Sequence, residues 1–142
     1  MTGFALPRPH IVVVLAVAGC IAAGAPALAA TFGAAPASLT VERPRTGTQV
    51  VVSSLDARRA IFDVSVLRGD QGDEPAAAAD VVVVPPVFAV EPYGAVVVRL
   101  AFRSPPPAQE VRYRLVATEV LSAAAQQAGR VPRTIVVPLT RR

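Results

Sequence analysis

From Leu39 onward the chain alternates apolar and polar positions with a period of two. Leu39 and Val41 begin the pattern, and Val50 and Val52 continue it inside a β-branched run. Phe62, Val64 and Val66 alternate with Asp63 and Ser65. Val96, Val98, Leu100 and Phe102 alternate with Arg99 and Arg103. Val111, Tyr113, Leu115 and Ala117 alternate with Arg112, Arg114 and Thr118, and Ile135, Val137 and Leu139 form the last set. A period of two marks a strand with one face buried. With the valine run Val81–Val84, the pattern predicts seven short strands. Turn-forming residues divide them at 44–47, 55–58, 69–75, 91–94 and 104–108. Many short strands with regular turns predict an all-β fold, an immunoglobulin-like seven-stranded β-sandwich. Its expected core includes Phe62, Val64, Val98, Leu100, Tyr113 and Leu115.

Between Val81 and Phe102 two stiff apolar segments flank a proline pair. Proline donates no ladder hydrogen bond, so Pro85-Pro86 ends or bends the first segment, and the chain can change sheets or turn a corner there. Val87, Phe88 and Val90 remain apolar enough to pack. Glu91–Gly94 reads as a turn in which Pro92 supplies φ and Gly94 tolerates a positive φ. Ser122–Ala128, before Gly129, admits a short helix capped by Ser122 or an alanine-rich loop.

The ends and the composition narrow the picture. Arg8 precedes the apolar stretch Ile11–Ala25, and Ala27-Leu28-Ala29 forms an A-x-A site, so residues 1–29 read as a signal peptide cut before Ala30. Val17-Ala18-Gly19-Cys20 offers a competing lipobox that would lipidate Cys20. Residues 30–37 form a loose Gly/Ala/Pro lead-in, and 38–142 form one domain. The single cysteine falls in the leader, so the exported domain holds no disulfide, and packing must stabilise it. Every basic residue is arginine, scattered without a stripe and with few aromatics, which argues against nucleic acid. The only histidine, His10, is also in the leader, which excludes a His-based triad, a cysteine nucleophile and a zinc cluster from the exported domain. Asp70, Asp73 and Glu74 crowd one loop, but their spacing departs from a calcium loop and reads as a solvated turn. The chain is expected to be no enzyme, with no cofactor, no metal and no small-molecule substrate.

The stretch VVVVPPVFAVEPYGAVVVRLAF resembles the "PP-x-F-x-L-x-P-G-x-x-x-x-V-R" core of the N-terminal domain of periplasmic chaperones that assemble pili with an outer-membrane usher. ASLTVER (37–43), TQVVVSS (48–54) and AIFDVSVLR (60–68) resemble that domain's first three strands in order. QEVRYRLVATEV (109–120) resembles a further segment, with Gln109 and Leu121 departing from its pattern. The resemblance implies a pilus or fimbrial subunit as partner, an usher as a second one, a periplasmic location, and subunit binding by donation of an edge strand. It places the donor edge at Ile135, Val137 and Leu139. It also implies a pair of basic residues that anchor the subunit's terminal carboxylate. Arg43 matches the arginine near the end of the first strand. Arg133 is the candidate for the second, where the family carries lysine. The family's usual second sandwich domain has no counterpart in the sequence. The alternative reading is a generic exported β-sandwich module of the envelope or of adhesion, lipid-anchored or a truncated remnant without chaperone activity.

Overall fold

Branching at Cβ favours the extended backbone, and the valine-rich segments adopt it. The computed structural model describes residues 31–142 other than 70, 71, 73 and 75. The leader, its cleavage site, the lipobox cysteine, Asp70 and Asp73 lie outside the described residues. Strands β1 (Phe32–Ala35), β2 (Leu39–Val41), β3 (Gly47–Ser54), β4 (Ala60–Arg68) and β5 (Ala76–Ala77) come first. Next come β6 (Val81–Val84), β7 (Val87–Val90), β8 (Ala95–Phe102) and β9 (Val111–Glu119). Helix α1 (Ala123–Gln127) and strand β10 (Thr134–Arg141) complete the order.

Two sheets face each other. One runs β1-β3-β8-β6 and the other β2-β10-β9-β4, with β7 and β5 sharing the far side of β4. Neighbours pair antiparallel except β2 and β10, which run parallel. The inward rows form one core, in which all six residues expected there are buried. Phe62 holds it at one end, its ring 5.1 Å from Phe32 and 6.0 Å from Phe88.

The proline pair is a sheet switch. β6 pairs with β8 in the first sheet, and after Pro85-Pro86 β7 pairs with β4 in the second. Three strands exceed the seven expected. β5 is a two-residue pairing, and β7 is the apolar stretch beyond the prolines. The third corrects the loose lead-in, because Phe32–Ala35 pairs residue by residue with Val51–Ser54. Its Gly/Ala composition hides a strand that backbone pairing and the Phe32 ring hold in place. The 91–94 turn also differs from expectation. Tyr93 takes the positive φ, at 55°, not Gly94. Gly94 is needed for space, since a Cβ there would lie 3.0 Å from the Glu91 carbonyl. The 122–128 stretch is a helix, capped by the Ser122 hydroxyl accepting from the Ala125 N–H, with Gly129 at φ 76° beyond its end.

Candidate functional site

β10 is flanked unequally on its two sides. Along its whole length it pairs with β9, but β2 covers its other side only at Leu139–Arg141. The phase of the hydrogen bonds fixes what the uncovered part offers. The Glu119 N–H donates to the Arg133 carbonyl at 2.8 Å, so Arg133, Ile135, Val137 and Leu139 turn their backbone groups to β9. Thr134, Val136, Pro138 and Thr140 turn theirs away. The Arg142 N–H, which donates to the Val41 carbonyl of β2 at 3.0 Å, keeps the same phase. Among the described residues, no backbone group pairs with Thr134 or Val136 on this outward side.

The side chains follow the opposite alternation. Val137 and Leu139 are each 1 % exposed and belong to the core, and Ile135 is partly buried against it. Ile135, Val137 and Leu139, the donor row that the resemblance implies, thus face the core of their own sandwich, Ile135 less completely than the other two. Val137 and Leu139 already fill the groove of their own sandwich. The apolar side chain that β10 shows to solvent is Val136, 52 % exposed.

The two candidate anchors stand at opposite ends of this strand. Arg43 follows β2, whose Val41 is level with Arg141, whereas Arg133 precedes Thr134. About 26 Å of strand separates the two ends, at roughly 3.3 Å per residue. One carboxylate therefore cannot touch both. Arg43 is exposed beside a cleft of about 380 Å³ that Gln109 and Arg142 also line, and its guanidinium donates to the Pro107 carbonyl. Across that cleft Glu110 accepts from Arg142 Nε at 2.9 Å and from Arg112 Nε at 3.2 Å. The hydrogen bond from Arg112, with that from Arg142, holds the Glu110 carboxyl below its ordinary range.

Arg133 has local partners that the sequence did not reveal. Its guanidinium donates to the Thr31 hydroxyl, pairs with Asp56 at 3.2 Å and lies 5.0 Å from the Phe32 ring centre. Asp56 also accepts from the Arg58 side chain and N–H. The Arg58 side-chain hydrogen bond is the main reason its pKa sits at about 2, with Arg133 adding to it against partial burial. Arg133 thus ties the start of β10 to β1 and to the β3–β4 turn.

Near Arg43 a buried polar chain fixes the loop that carries Pro107. Arg141, 2 % exposed, donates to the Ser104 hydroxyl at 2.8 Å and carbonyl at 2.7 Å, and its guanidinium sits 4.2 Å from the Phe102 ring centre. Ser104 and Tyr113 in turn donate to one oxygen of Asp80, at 3.1 and 2.8 Å. Burial pushes the Asp80 carboxyl up, but the Tyr113 and Ser104 hydrogen bonds outweigh it, and the net shift is downward. Burial, then the bond to Asp80, raises the Tyr113 hydroxyl. Among the described residues there is no cluster of metal-ligating side chains.

A family model described as "Pili and flagellar-assembly chaperone, PapD N-terminal domain" matches residues 32–140. Among solved structures, the CsuC–CsuE chaperone–tip adhesion subunit pre-assembly complex from archaic Csu pili of Acinetobacter baumannii contains a similar chain. It is 20 % identical with a TM-score of 0.63, and the match covers 78 % of this chain and 56 % of that one. The E. coli chaperone DraB is 16 % identical with a TM-score of 0.62, over 78 % and 54 %. The periplasmic chaperone SfaE is 11 % identical with a TM-score of 0.63, over 77 % and 56 %. The chain therefore spans a little over half the length of the chaperones it matches. No curated protein sequence matches it. At these identities the structural likeness speaks for the shared immunoglobulin-like fold, and the match over 32–140 speaks for the family.

Proposed function

The chain belongs to the family of pilus-assembly chaperone N-terminal domains, non-enzymatic folding chaperones, and from that membership we propose that it binds pilus or fimbrial subunits in the periplasm by lending them the open edge of β10. The observation that carries the reading is the unpaired outward side of Thr134 and Val136. Two N–H and two C=O groups stand ready for an extended segment, which is how strand addition gains affinity. Core packing holds Val137 and Leu139, so this chain contributes backbone first, with Val136 and Ile135 as the side chains that retain accessible surface. Arg43 is the proposed anchor for the segment's terminal carboxylate, because a guanidinium binds a carboxylate through paired hydrogen bonds. Since β2 occupies the edge between Val136 and Arg43, a segment that reaches both must step outward by about one strand spacing, roughly 4.8 Å. Arg133 is left to its structural partners. Handover to an usher belongs to the same reading.

Synthetic peptides with alternating apolar residues, with either a free or an amidated C-terminus, test it by fluorescence anisotropy. Wild type should prefer the free acid by about 10- to 100-fold, the range that a charge-assisted contact supplies. Arg43→Ala should lose the preference and keep its melting temperature, while Arg45→Ala should retain both. Equal binding of acid and amide by wild type would remove the anchor. No binding of either peptide would overturn strand capture itself.

A further inference from the structure

Among the described residues the three most exposed large apolar side chains are Val131 at 79 %, Leu55 at 73 % and Tyr93 at 71 %, and no other exceeds 57 %. They sit in three different connections, α1–β10, β3–β4 and β7–β8, and the strand pairings put all three connections at one end of the sandwich. The Leu55 and Tyr93 turns are tied side by side. The Ser54 N–H donates to the Gly94 carbonyl at 2.9 Å, and the Tyr93 N–H to the Asp56 carbonyl at 3.2 Å. Tyr93 keeps its exposed ring at φ 55°, a backbone position that glycine takes freely and a bulky residue does not. The β3–β4 turn also carries Arg58 and Arg59, both more than half exposed. Among the described residues Arg59 bonds only through Nε, to Glu91 at 2.9 Å, so its terminal nitrogens are free. The chain enters the domain at this same end, where the Leu55 N–H donates to the Thr31 carbonyl at 2.7 Å. Residues 26–30 alone separate Thr31 from the apolar stretch Ile11–Ala25, a reach of at most about 18 Å when extended.

We infer that this end of the sandwich docks on the surface of a lipid bilayer. Leu55, Tyr93 and Val131 enter the boundary between headgroups and acyl chains, and Arg58 and Arg59 meet anionic headgroups. A stable protein partner needs a continuous patch of about 800 Å² on each side. Three apolar side chains on separate turns suit a fluid boundary better, because each can enter it singly. Tyrosine fits that boundary, with its ring among the acyl chains and its hydroxyl among the headgroups. The free guanidinium nitrogens of Arg59 suit a lipid phosphate, and a cation close to an anionic surface adds to the attraction. The point of entry favours the same orientation, since an uncut leader held in a membrane would bring this end to the surface. β10 begins here with Thr134, so it would rise from the bilayer with Arg43 at the far end. Docking of this end leaves the β10 edge open and does not depend on subunit binding.

The sequence has no tryptophan, so Tyr93→Trp in the domain starting at Ala30 places a single fluorescent reporter at this end. With vesicles of phosphatidylcholine and phosphatidylglycerol its emission should move to the blue, and lipids brominated just below the headgroup should quench it. In co-sedimentation with the same vesicles, Leu55→Ser and Val131→Ser should each weaken binding roughly three- to tenfold, part of what full burial of such a side chain supplies. Arg59→Gln should weaken binding to these vesicles and leave binding to pure phosphatidylcholine unchanged. Tyr93→Gly should weaken binding without lowering the melting temperature, because glycine relieves the positive φ. Val97→Ser, on the outer face of β8, should leave binding unchanged. A wild type that binds neither vesicle overturns the inference, as does binding that Leu55→Ser and Val131→Ser both leave intact. A wild type that ignores vesicles and forms a dimer that Leu55→Ser abolishes would overturn it in favour of a second copy.

Discussion

Polar side chains at the two ends of β10 tie the strand to neighbouring loops. Tyr113→Phe removes the hydroxyl that donates to Asp80 and should cost about 1 kcal/mol by urea denaturation, the usual size of one such bond. Ser104→Ala should cost more, about 1–3 kcal/mol, because it deprives a buried guanidinium of a hydroxyl partner. Asp56, Asp80 and Glu110 all have carboxyl pKa values lowered by folding. Each binds its proton more weakly folded than unfolded. Their contribution is present above the ordinary carboxylate range and is lost as pH falls, down to about 2 for Asp56. The urea midpoint should therefore drop between about pH 4 and pH 2, and Asp56→Asn should flatten part of that slope. Arg133→Ala should cost no more than about 1 kcal/mol, because its ion pair is partly screened, and should leave the preference for a free carboxylate unchanged. None of these partnerships was legible in the sequence. Arg133 meets Asp56 across 77 positions, and neither residue carries a local signal of the other.

Strands are where the sequence spoke most clearly. Period-two alternation located six strands and their buried faces, the valine run a seventh, and Leu115, fully buried, should cost roughly 2–5 kcal/mol on replacement by alanine. What alternation does not encode is the direction of the hydrogen bonds, which lies at right angles to the side chains. The same Ile135–Val137–Leu139 row serves a core or a donor strand, and only the pairing with β9 and β2 separates the two. Val137→Asp should accordingly unfold the domain, because it buries a charge in the core. Val136→Asp, one residue away on the outward face, should leave the melt close to wild type. Thermal melts of the pair decide between the two placements. β1 escaped notice for a different reason: FGAA lacks the branched residues that mark a strand, and its pairing with β3 is set by tertiary contact. The proline pair between β6 and β7, by contrast, was readable as the end or bend of a strand, with a sheet change or a corner to follow, because proline's missing donor ends a ladder whatever surrounds it.

At the scale of the whole molecule, one lateral side of the sandwich is shared unequally. β1 belongs to the first sheet and β2 to the second, and between the two the start of β10 is left with β9 as its one neighbour in its own sheet. The subunit binding proposed above would use that opening. It requires an alternation of free and engaged amides along one strand. Residue-resolved amide hydrogen exchange, by NMR on a dilute monomeric sample, measures that alternation directly. The Thr134 and Val136 amides should exchange quickly while those of Ile135 and Val137, bonded to β9, stay protected. Uniform protection from Thr134 to Val137, or protection in the opposite phase, would contradict the open edge on which the account rests.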